Sequence, residues 1–439
     1  MAPERFFLEL SPATELLREA PHVVIVGGGF AGLRAAQVLA GKMLRVTLID
    51  QQNFNLFQPL LYQVASGLVS ESDVASPLRL LLGAADNIQI LMGEVVDLDV
   101  DHQEVIFNNR RYHYDHLILA AGARSSFFGH DAWAAFATPM KTLEDAHRIR
   151  SQVLRALEEA EQTPEPEQRR ILQSVVVIGG GPSGCELAGS LNDLMRHSLA
   201  RDFKQLDPRE CKVTLVDPGD RVLRAMDPQL SAAAGEQLRR DGVQLLLGGR
   251  VQGIEPGRVV VSTPAGEQIL EASTICWTAG VAASPLGALL AERTGCQLDR
   301  GGRVIVAADF SIPNHPEIRV VGDLCSYSHG TGAQALPGMA GPAVQMGGWV
   351  AQDLLAQSQG LSHTPFTFQD FGSMAVVGPL FAVANLRGLK FSGPIGWLLW
   401  GLAHVAFMPD GENRLILLSK WLWAIATRER SALVITQEA

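Results

Sequence analysis

Residues 23–32 read VVIVGGGFAG, an apolar run that leads directly into a glycine-rich G-x-G-x-x-G segment over 27–32. The run is typical of a buried parallel strand, and residues 33–40 are suited to a helix. A second strand over 45–49 ends in Asp50, 23 residues after Gly27. This order of strand, glycine loop, helix, strand and acid predicts a β-α-β unit that binds a dinucleotide.

Each glycine of this loop has a separate physical role. Gly27 permits the tight turn, Gly29 lets the backbone approach a pyrophosphate, and Gly32 allows close packing of helix on strand. The free N–H groups at the helix start attract the phosphates, and Asp50 would accept hydrogen bonds from ribose hydroxyls. The alternative is a glycine-rich turn in an ordinary α/β fold. The residues predicted to bind this cofactor are Gly27, Gly28, Gly29, Phe30, Ala31, Gly32, Asp50 and Gln51.

The same device occurs a second time. A strand over 174–178 precedes the loop 179–184, a helix follows, and the strand over 212–216 ends in Asp217. An acid at this place favours the unphosphorylated ribose of NADH, whereas the nearby Arg221 and Arg224 leave NADPH as a less favoured alternative. The residues predicted to bind the second dinucleotide are Gly179, Gly181, Pro182, Ser183, Gly184 and Asp217.

Three further strands run into small residues. They are YDHLILAAG over 114–122, TICWTAG over 274–280 and IRVVGD over 318–323. We expect their ends to lie beside the cofactors; the less favoured alternative for Asp323 is capping of the helix after it. The residues added to the cofactor sites are Val95, Ala121, Gly122, Ala279, Gly280, Gly322 and Asp323.

These units predict an α/β chain with two Rossmann-like dinucleotide-binding domains. We expect a discontinuous FAD-binding domain over 20–125 and 283–360, an NAD(P)H-binding domain over 126–282, and a C-terminal region over 361–439.

Composition excludes several classes of protein. The 439 residues carry 36 basic and 46 acidic side chains, a net charge of −10, which does not suit nucleic-acid binding. The five cysteines form no C-x-x-C pair and no zinc-type spacing with histidine, so no metal site is expected and a reducing compartment is favoured. Glu4, Glu9 and Glu15 do not suit a signal peptide.

The order of these motifs resembles the two-dinucleotide-binding-domain flavoproteins. Finer features resemble one branch, the type II (non-proton-pumping) NADH:quinone oxidoreductases. These features are NLFQPLLYQVA over 55–65, KTLEDA over 141–146, GCELAG over 184–189, WTAGV over 277–281 and the block around Gln345. The resemblance implies FAD in the first unit, NADH in the second, a membrane quinone as electron acceptor and often a homodimer.

The resemblance also implies roles for residues around the flavin. Glu186 of the GCELAG motif would assist proton delivery near flavin and nicotinamide; the alternative is an acid that complements the helix dipole. Gly341, Ala343, Gln345 and Met346 would line the quinone end, with Gln345 as the polar contact and Gly341 standing where the family carries a glutamine. The alternative for Gln345 is a plain polar contact at a helix start. Residues 51–80 contain no cysteine, so a disulfide reductase is disfavoured and electrons should leave the flavin directly.

The tail predicts where the acceptor lies. Two apolar helices over 394–408 and 415–426, separated by Pro409-Asp410-Gly411, hold four of the seven tryptophans and are each too short to span a bilayer. They suit a monotopic anchor in the cytoplasmic face of a membrane. The basic residues beside them would attract anionic lipid; they are Lys390, Arg414, Lys420, Arg428 and Arg430. The alternatives are a dimerisation surface or a buried pair of helices. For the whole chain, the alternative functions are a reductase of a soluble electron carrier and a redox sensor resembling apoptosis-inducing-factor proteins.

Overall fold

The computed structural model describes residues 19–198, 202–329, 334–362 and 364–435. The glutamates on which the signal-peptide expectation rests, Glu4, Glu9 and Glu15, lie outside these residues. The described α-helices are α1 Phe30–Leu39, α2 Leu61–Ala65, α3 Leu78–Leu82, α4 Leu143–Gln162, α5 Pro166–Leu172, α6 Pro182–Asp193, α7 Pro228–Asp241, α8 Pro285–Thr294, α9 Ala340–Ser358, α10 Pro394–Phe407 and α11 Gly411–Thr427.

The described strands follow the same chain order. They are β1 His22–Val26, β2 Arg45–Asp50, β3 Phe54–Leu56, β4 Ala75–Pro77, β5 Ile88–Met92, β6 Val95–Asp99, β7 Glu104–Phe107, β8 Arg110–His113, β9 His116–Leu119, β10 Ala123–Ser125, β11 Thr138–Pro139, β12 Ser174–Ile178, β13 Lys212–Asp217, β14 Gln244–Leu247, β15 Arg250–Glu255, β16 Arg258–Thr263, β17 Gly266–Glu271, β18 Thr274–Trp277, β19 Val281–Ala283, β20 Val304–Ile305, β21 Ser311–Ile312, β22 His315–Val320, β23 Cys325–Ser326, β24 Ser373–Gly378, β25 Phe381–Leu386 and β26 Leu389–Gly393.

The chain divides into two compact units. Unit 1 comprises the described parts of Met1–Asn55, Ser76–Arg124 and Ala282–Gln369, and unit 2 those of Leu56–Ala75, Ser125–Val281 and Asp370–Ala439. The division into FAD-binding, NAD(P)H-binding and C-terminal regions stays a prediction, because the two units are defined by compactness and not by what they bind.

Unit 1 is built around a six-stranded sheet in the order β21-β22-β9-β1-β2-β5. All its pairs are parallel except that of β21 with β22. Every residue of β1 is buried, as expected for a central parallel strand covered on both faces. A separate antiparallel sheet, β6-β7-β8, lies between β5 and β9 in the chain.

Unit 2 repeats this arrangement. Its parallel sheet has the order β11-β18-β12-β13-β14, and an antiparallel sheet, β15-β16-β17, lies between β14 and β18 in the chain. The first strand of each glycine-loop unit, β1 or β12, is therefore flanked by the strand after its helix and by a strand that returns much later in the chain. The two predicted Rossmann-like folds are confirmed. Ligands bind in such sheets at the carboxyl ends of the strands, where the strand order reverses.

Unit 2 also contains the antiparallel sheet β24-β25-β26. Strand β24 packs against α6, the helix of the second glycine loop, and α10 follows directly after β26. No described helix combines the length and the apolar character that crossing a membrane requires.

Candidate functional site

The first glycine loop has the geometry that its sequence predicts. Gly27 has φ +106°, and a side chain there would overlap the backbone of Ala120. A Cβ at Gly32 would overlap the Gly27 carbonyl oxygen, so this glycine brings α1 close to β1. A Cβ at Gly29, by contrast, would enter open space. Helix α1 begins after Gly29 with no side-chain cap and no acid in its first turn, which leaves its N–H groups for an anion.

Asp50 organises this loop from the end of β2. Its carboxylate accepts hydrogen bonds from the backbone of Gly28 at 2.5 Å and of Gln52 at 2.7 Å. Burial raises the pKa of Asp50, and these two N–H groups oppose that rise. Asn55 donates to the Gly28 carbonyl at 2.8 Å, while its own buried Oδ1 has no partner.

These features fit an FAD dinucleotide. The loop offers an uncapped helix start, an open face at Gly29 and an acid at the neighbouring strand end. Gly122 and Gly341, which also belong to unit 1, likewise have open space where a Cβ would stand. A methyl group at any of the three would therefore reduce room for a ligand without touching the protein.

The second loop repeats this geometry in unit 2. Gly179 has φ +117° and a Cβ at Gly184 would overlap the Gly179 carbonyl, whereas Gly181 faces open space. Asp217 accepts hydrogen bonds from Gly180 and Gly219, both at 2.7 Å. The carboxylate therefore holds the loop and stands at the end of β13, where a ribose would lie.

Arg221 and Arg224 are the residues that would favour NADPH over NADH. Arg221 donates to the Arg224 carbonyl oxygen at 3.2 Å, and its buried Nε has no partner. Arg224 is exposed and its side chain crosses Gly219. Arg224 thus lies near Asp217, whose negative charge disfavours a ribose phosphate.

The other predicted cofactor residues occupy different environments. Gln51 is exposed after β2, and Val95 is buried at the start of β6. Gly322 has φ +70° and, with Asp323, forms a short 3₁₀ turn beside Gly338. A side chain at Gly280 would collide with Phe128.

Glu186 lies in a water-poor environment on α6. Its residue is 8% exposed, and Oε1 accepts a long hydrogen bond of 3.4 Å from the backbone N–H of Val376. Burial raises the pKa of Glu186 to about 8, so the side chain is a neutral acid at pH 7. The helix begins at Pro182, so Glu186 lies beyond its first turn. The helix dipole acts most strongly within the first turn and therefore has little effect on Glu186.

Glu186 lines a cavity of about 370 Å³ in unit 2. Three tryptophans contribute its aromatic wall: Trp400 lies 5.0 Å from Trp421 and 6.4 Å from Trp397 between ring centroids. Tyr62, Gln63, Asp193 and Arg430 supply polar groups. The cavity thus combines flat apolar walls with a few directed polar groups, as small-molecule sites do.

Sequence reasoning missed most of this cavity. The Arg430 side chain is 4% exposed and pairs with Asp193 at 2.5 Å. It also donates to the carbonyl oxygen of Ser66, whose hydroxyl lies 2.6 Å from that of Ser190. Tyr62 belongs to the family motif over 55–65, which by itself indicates no role for this residue, and nothing in the local sequence marks Arg430 as buried.

The residues predicted to contact quinone lie on α9 in unit 1 but differ in burial and in hydrogen bonding. The Gln345 side chain forms two hydrogen bonds of 2.9 Å with the backbone of Gln369, one as donor and one as acceptor. Ala343 and Met346 are buried, whereas Gly341 faces open space. A contact of these residues with quinone stays a prediction. Independently of it, the Gln345 side chain holds the backbone of Gln369 in place.

The two C-terminal helices expose one apolar stripe each. On α10 the stripe is Ile395, Leu398 and Leu402, and on α11 it is Leu415, Leu418 and Leu422. The opposite side of α11 is buried through Asn413, Leu417 and Trp421. Trp400 is likewise buried on α10, so each helix has one buried face and one exposed apolar stripe.

Most of the basic residues beside these helices are already engaged. Lys390 pairs with Asp227 at 2.7 Å, Lys420 with Asp73, and Arg430 with Asp193. Arg414 donates to the Met408 carbonyl oxygen. The charge expected to attract anionic lipid is thus largely used inside unit 2, with Arg428 left exposed.

Comparison with known proteins agrees with this geometry. A family model described as pyridine nucleotide-disulphide oxidoreductase matches residues 21–347. The type II NADH:quinone oxidoreductase Ndh of Mycobacterium tuberculosis is 37% identical over 98% of this chain and 94% of its own length. NdhA, from the same organism and with the same description, is 37% identical over 95% of this chain and 90% of its own.

A solved structure shares the fold. NDH2 from Plasmodium falciparum in complex with NADH superposes with a TM-score of 0.86 at 17% identity, covering 95% of this chain and all of the other. With the relatives above, these matches show that the chain belongs to the pyridine nucleotide-disulphide oxidoreductase family and, within it, to the type II NADH:quinone oxidoreductases.

Proposed function

We propose that this chain oxidises NADH and reduces a membrane quinone through bound FAD, without moving protons across the membrane. The overall reaction is NADH + H⁺ + quinone → NAD⁺ + quinol. The observation that carries the proposal is the pair of glycine loops, each open at its middle glycine, in a chain 37% identical to a type II enzyme over 98% of its length.

FAD, when bound, accepts a hydride from NADH and passes two electrons to the acceptor. The protein binds and orients the two nucleotides. The loop at Gly29 and Asp50 would hold the FAD pyrophosphate and ribose, and the loop at Gly181 and Asp217 those of NADH. All five cysteines are free and buried, so a thiol relay has no accessible sulfur among them.

Glu186 is the proposed proton donor. Forming a quinol takes up two protons, of which the hydride of NADH accounts for one. Because Glu186 is neutral at pH 7 and lines the cavity, it can give its proton to a reduced acceptor oxygen and regain one from solvent. Gln345, with Gly341, Ala343 and Met346, stays the predicted contact at the quinone end in unit 1.

The C-terminal helices are the proposed membrane contact. Their outward leucines are 56% exposed at Leu398, 59% at Leu402 and 68% at Leu422, which is unfavourable in water and suits the interface of a bilayer. The protein would then be a monotopic one on the cytoplasmic face, within reach of a lipid-dissolved quinone. The homodimer that the family resemblance implies stays a prediction, which analytical ultracentrifugation tests.

The test is a visible spectrum of the purified protein followed by stopped-flow kinetics. We expect flavin absorption, bleaching by NADH, and rapid return of the absorption when a short-chain quinone is added. Return at the same rate without quinone would reject the proposal. Rapid return with a soluble electron-carrier protein alone would favour a carrier reductase, and a long-lived charge-transfer band with slow turnover would favour a redox sensor.

A further inference from the structure

Three buried side chains in unit 2 form a hydrogen-bonded chain that ends at the cavity. The Trp421 indole N–H donates to Gln63 Oε1 at 2.8 Å. The Gln63 amide nitrogen in turn donates to the Tyr62 hydroxyl oxygen at 2.9 Å. All three side chains are at least nine-tenths buried, and all three line the cavity that contains Glu186.

The direction of this chain is determined by chemistry. An indole nitrogen can donate a hydrogen bond but cannot accept one, so Gln63 must turn its oxygen towards Trp421. The amide nitrogen of Gln63 then necessarily faces Tyr62, and a nitrogen of this kind is a donor. Tyr62 is therefore forced to accept through its oxygen, which leaves its own O–H hydrogen to be donated elsewhere.

The hydroxyl hydrogen of Tyr62 has no hydrogen-bond acceptor among the described residues. Burial and the nearby Glu186 raise the pKa of Tyr62, which keeps the hydroxyl protonated. A buried donor without a partner is costly, and a ligand carbonyl oxygen in the cavity would remove that cost.

We propose that Tyr62 is a hydrogen-bond donor to a quinone carbonyl oxygen bound in this cavity, and that Gln63 and Trp421 are positioning residues that direct its hydroxyl. The inference rests on the proposed function and adds to it a specificity-determining residue. The flat rings of Trp397, Trp400 and Trp421 suit the quinone ring, and Tyr62 and Glu186 would address its oxygens. Since Trp421 belongs to α11, the proposed membrane helix takes part in orienting the donor.

The first test is Tyr62→Phe in the FAD-loaded full chain, which removes the hydroxyl and keeps the ring. We expect the KM for a short-chain quinone to rise about three- to tenfold, the usual worth of one neutral hydrogen bond. The rate of flavin reduction by NADH, followed by stopped flow, should not change. Tyr114→Phe is the matched control, because Tyr114 is also fully buried and its hydroxyl has no partner.

The second test is Gln63→Glu, which keeps the Tyr62 hydroxyl but redirects it. Because burial would raise the pKa of this glutamate as it raises that of Glu186, all variants are compared at a pH at which the new side chain is ionised. Its carboxylate then offers two acceptor oxygens, one for Trp421 and one for Tyr62, so the hydroxyl is drawn away from the cavity. We expect the same rise in quinone KM as in Tyr62→Phe, and no further rise when both changes are combined. FAD content and melting temperature, measured on each variant, show which proteins are folded; if Tyr62→Phe loses FAD, the Gln63→Glu result decides.

The outcomes separate the inference from the proposed function. A wild-type protein whose flavin no quinone reoxidises overturns the proposed function and the inference with it. A wild-type protein that reduces quinone, with an unchanged quinone KM in folded Tyr62→Phe or Gln63→Glu, overturns the inference alone. The same holds if the KM for NADH rises in place of that for quinone, or if the two changes have additive effects.

Discussion

At the residue scale, burial changes the chemistry of Glu186. An exposed glutamate would be ionised at pH 7, but desolvation on α6 raises the pKa of Glu186 to about 8. The weak 3.4 Å contact from Val376 does little to favour the charged form. The residue can therefore act as an acid at the pH of a cell, which neither its residue type nor its position in the motif reveals.

We expect Glu186→Gln to lower kcat with quinone roughly a hundredfold, the usual contribution of a general acid. In the wild type, kcat should fall as the pH rises through about 8, because Glu186 then loses its proton. This alkaline fall in kcat should be absent from the Glu186→Gln variant. A pH profile of steady-state turnover checks this, with Glu236→Gln, an exposed glutamate on α7, as the control. An unchanged alkaline limb in Glu186→Gln would assign it to another group.

The same group makes stability depend on pH. Its folded pKa is raised, so the native state holds a proton that the unfolded chain has released between about pH 4.5 and 8. The free energy of unfolding should fall across that window, by at most about 1.4 kcal/mol per pH unit. Urea unfolding at several pH values should show this fall in the wild type and a smaller one in Glu186→Gln.

Asp217 should decide between the two nicotinamide nucleotides. Replacing its charge in Asp217→Asn should lower kcat/KM for NADH and narrow the preference over NADPH roughly tenfold, because a like charge no longer opposes the ribose phosphate. Asp220→Asn, at an exposed acid three residues later, is the matched control. Equal preference ratios in wild type and Asp217→Asn would remove Asp217 from this role.

At the element scale, the glycines of each loop fall into two kinds. Gly32 and Gly184 touch the protein, since a Cβ there would overlap the loop backbone. A Cβ at Gly29 or Gly181 would contact no protein atom, and the φ values of −69° and −74° at these positions suit any residue. The first kind is needed for the fold, and the second is needed for what binds.

We therefore expect Gly29→Ala to fold and lose FAD. Gly181→Ala should keep FAD and raise the KM for NADH roughly tenfold, a cost of about 1.4 kcal/mol. Flavin absorbance and melting temperature check the first, and steady-state kinetics the second. Gly411→Ala, whose Cβ also meets open space, should change none of these. Full FAD content in Gly29→Ala would contradict the assignment of the first loop.

At the scale of the whole molecule, the C-terminal helices have one face that packs in the interior of unit 2 and one face that is exposed. Strand β26, Trp421 and Arg430 contribute to the interior of unit 2, so deleting the tail would remove interior contacts together with any membrane contact. The outward leucines can be changed without touching the interior. Because the basic neighbours are mostly paired within the protein, membrane binding should depend on apolar area and little on charge.

We expect a variant with Leu398→Ser, Leu402→Ser and Leu422→Ser to bind liposomes roughly a hundredfold or more weakly, since each buried leucine is worth about 1.5–3 kcal/mol. Wild-type binding should survive 0.5 M salt and neutral lipid. Sedimentation with vesicles measures both. Leu80→Ser with Leu361→Ser, at exposed leucines outside these helices, is the control. Release by salt would show that electrostatic attraction dominates.

The sequence by itself determined the paired β-α-β units, because the glycines, the apolar strands and the acids Asp50 and Asp217 are local patterns with one compatible backbone geometry. It also located Glu186 and both C-terminal helices. The tertiary structure alone decided that Glu186 is a buried acid, that Gln345 binds the backbone of Gln369, and that Lys390, Lys420 and Arg430 are paired. The chain from Trp421 through Gln63 to Tyr62 joins positions 358 residues apart. Burial and partners of this kind depend on distant segments meeting in space, which no local pattern encodes.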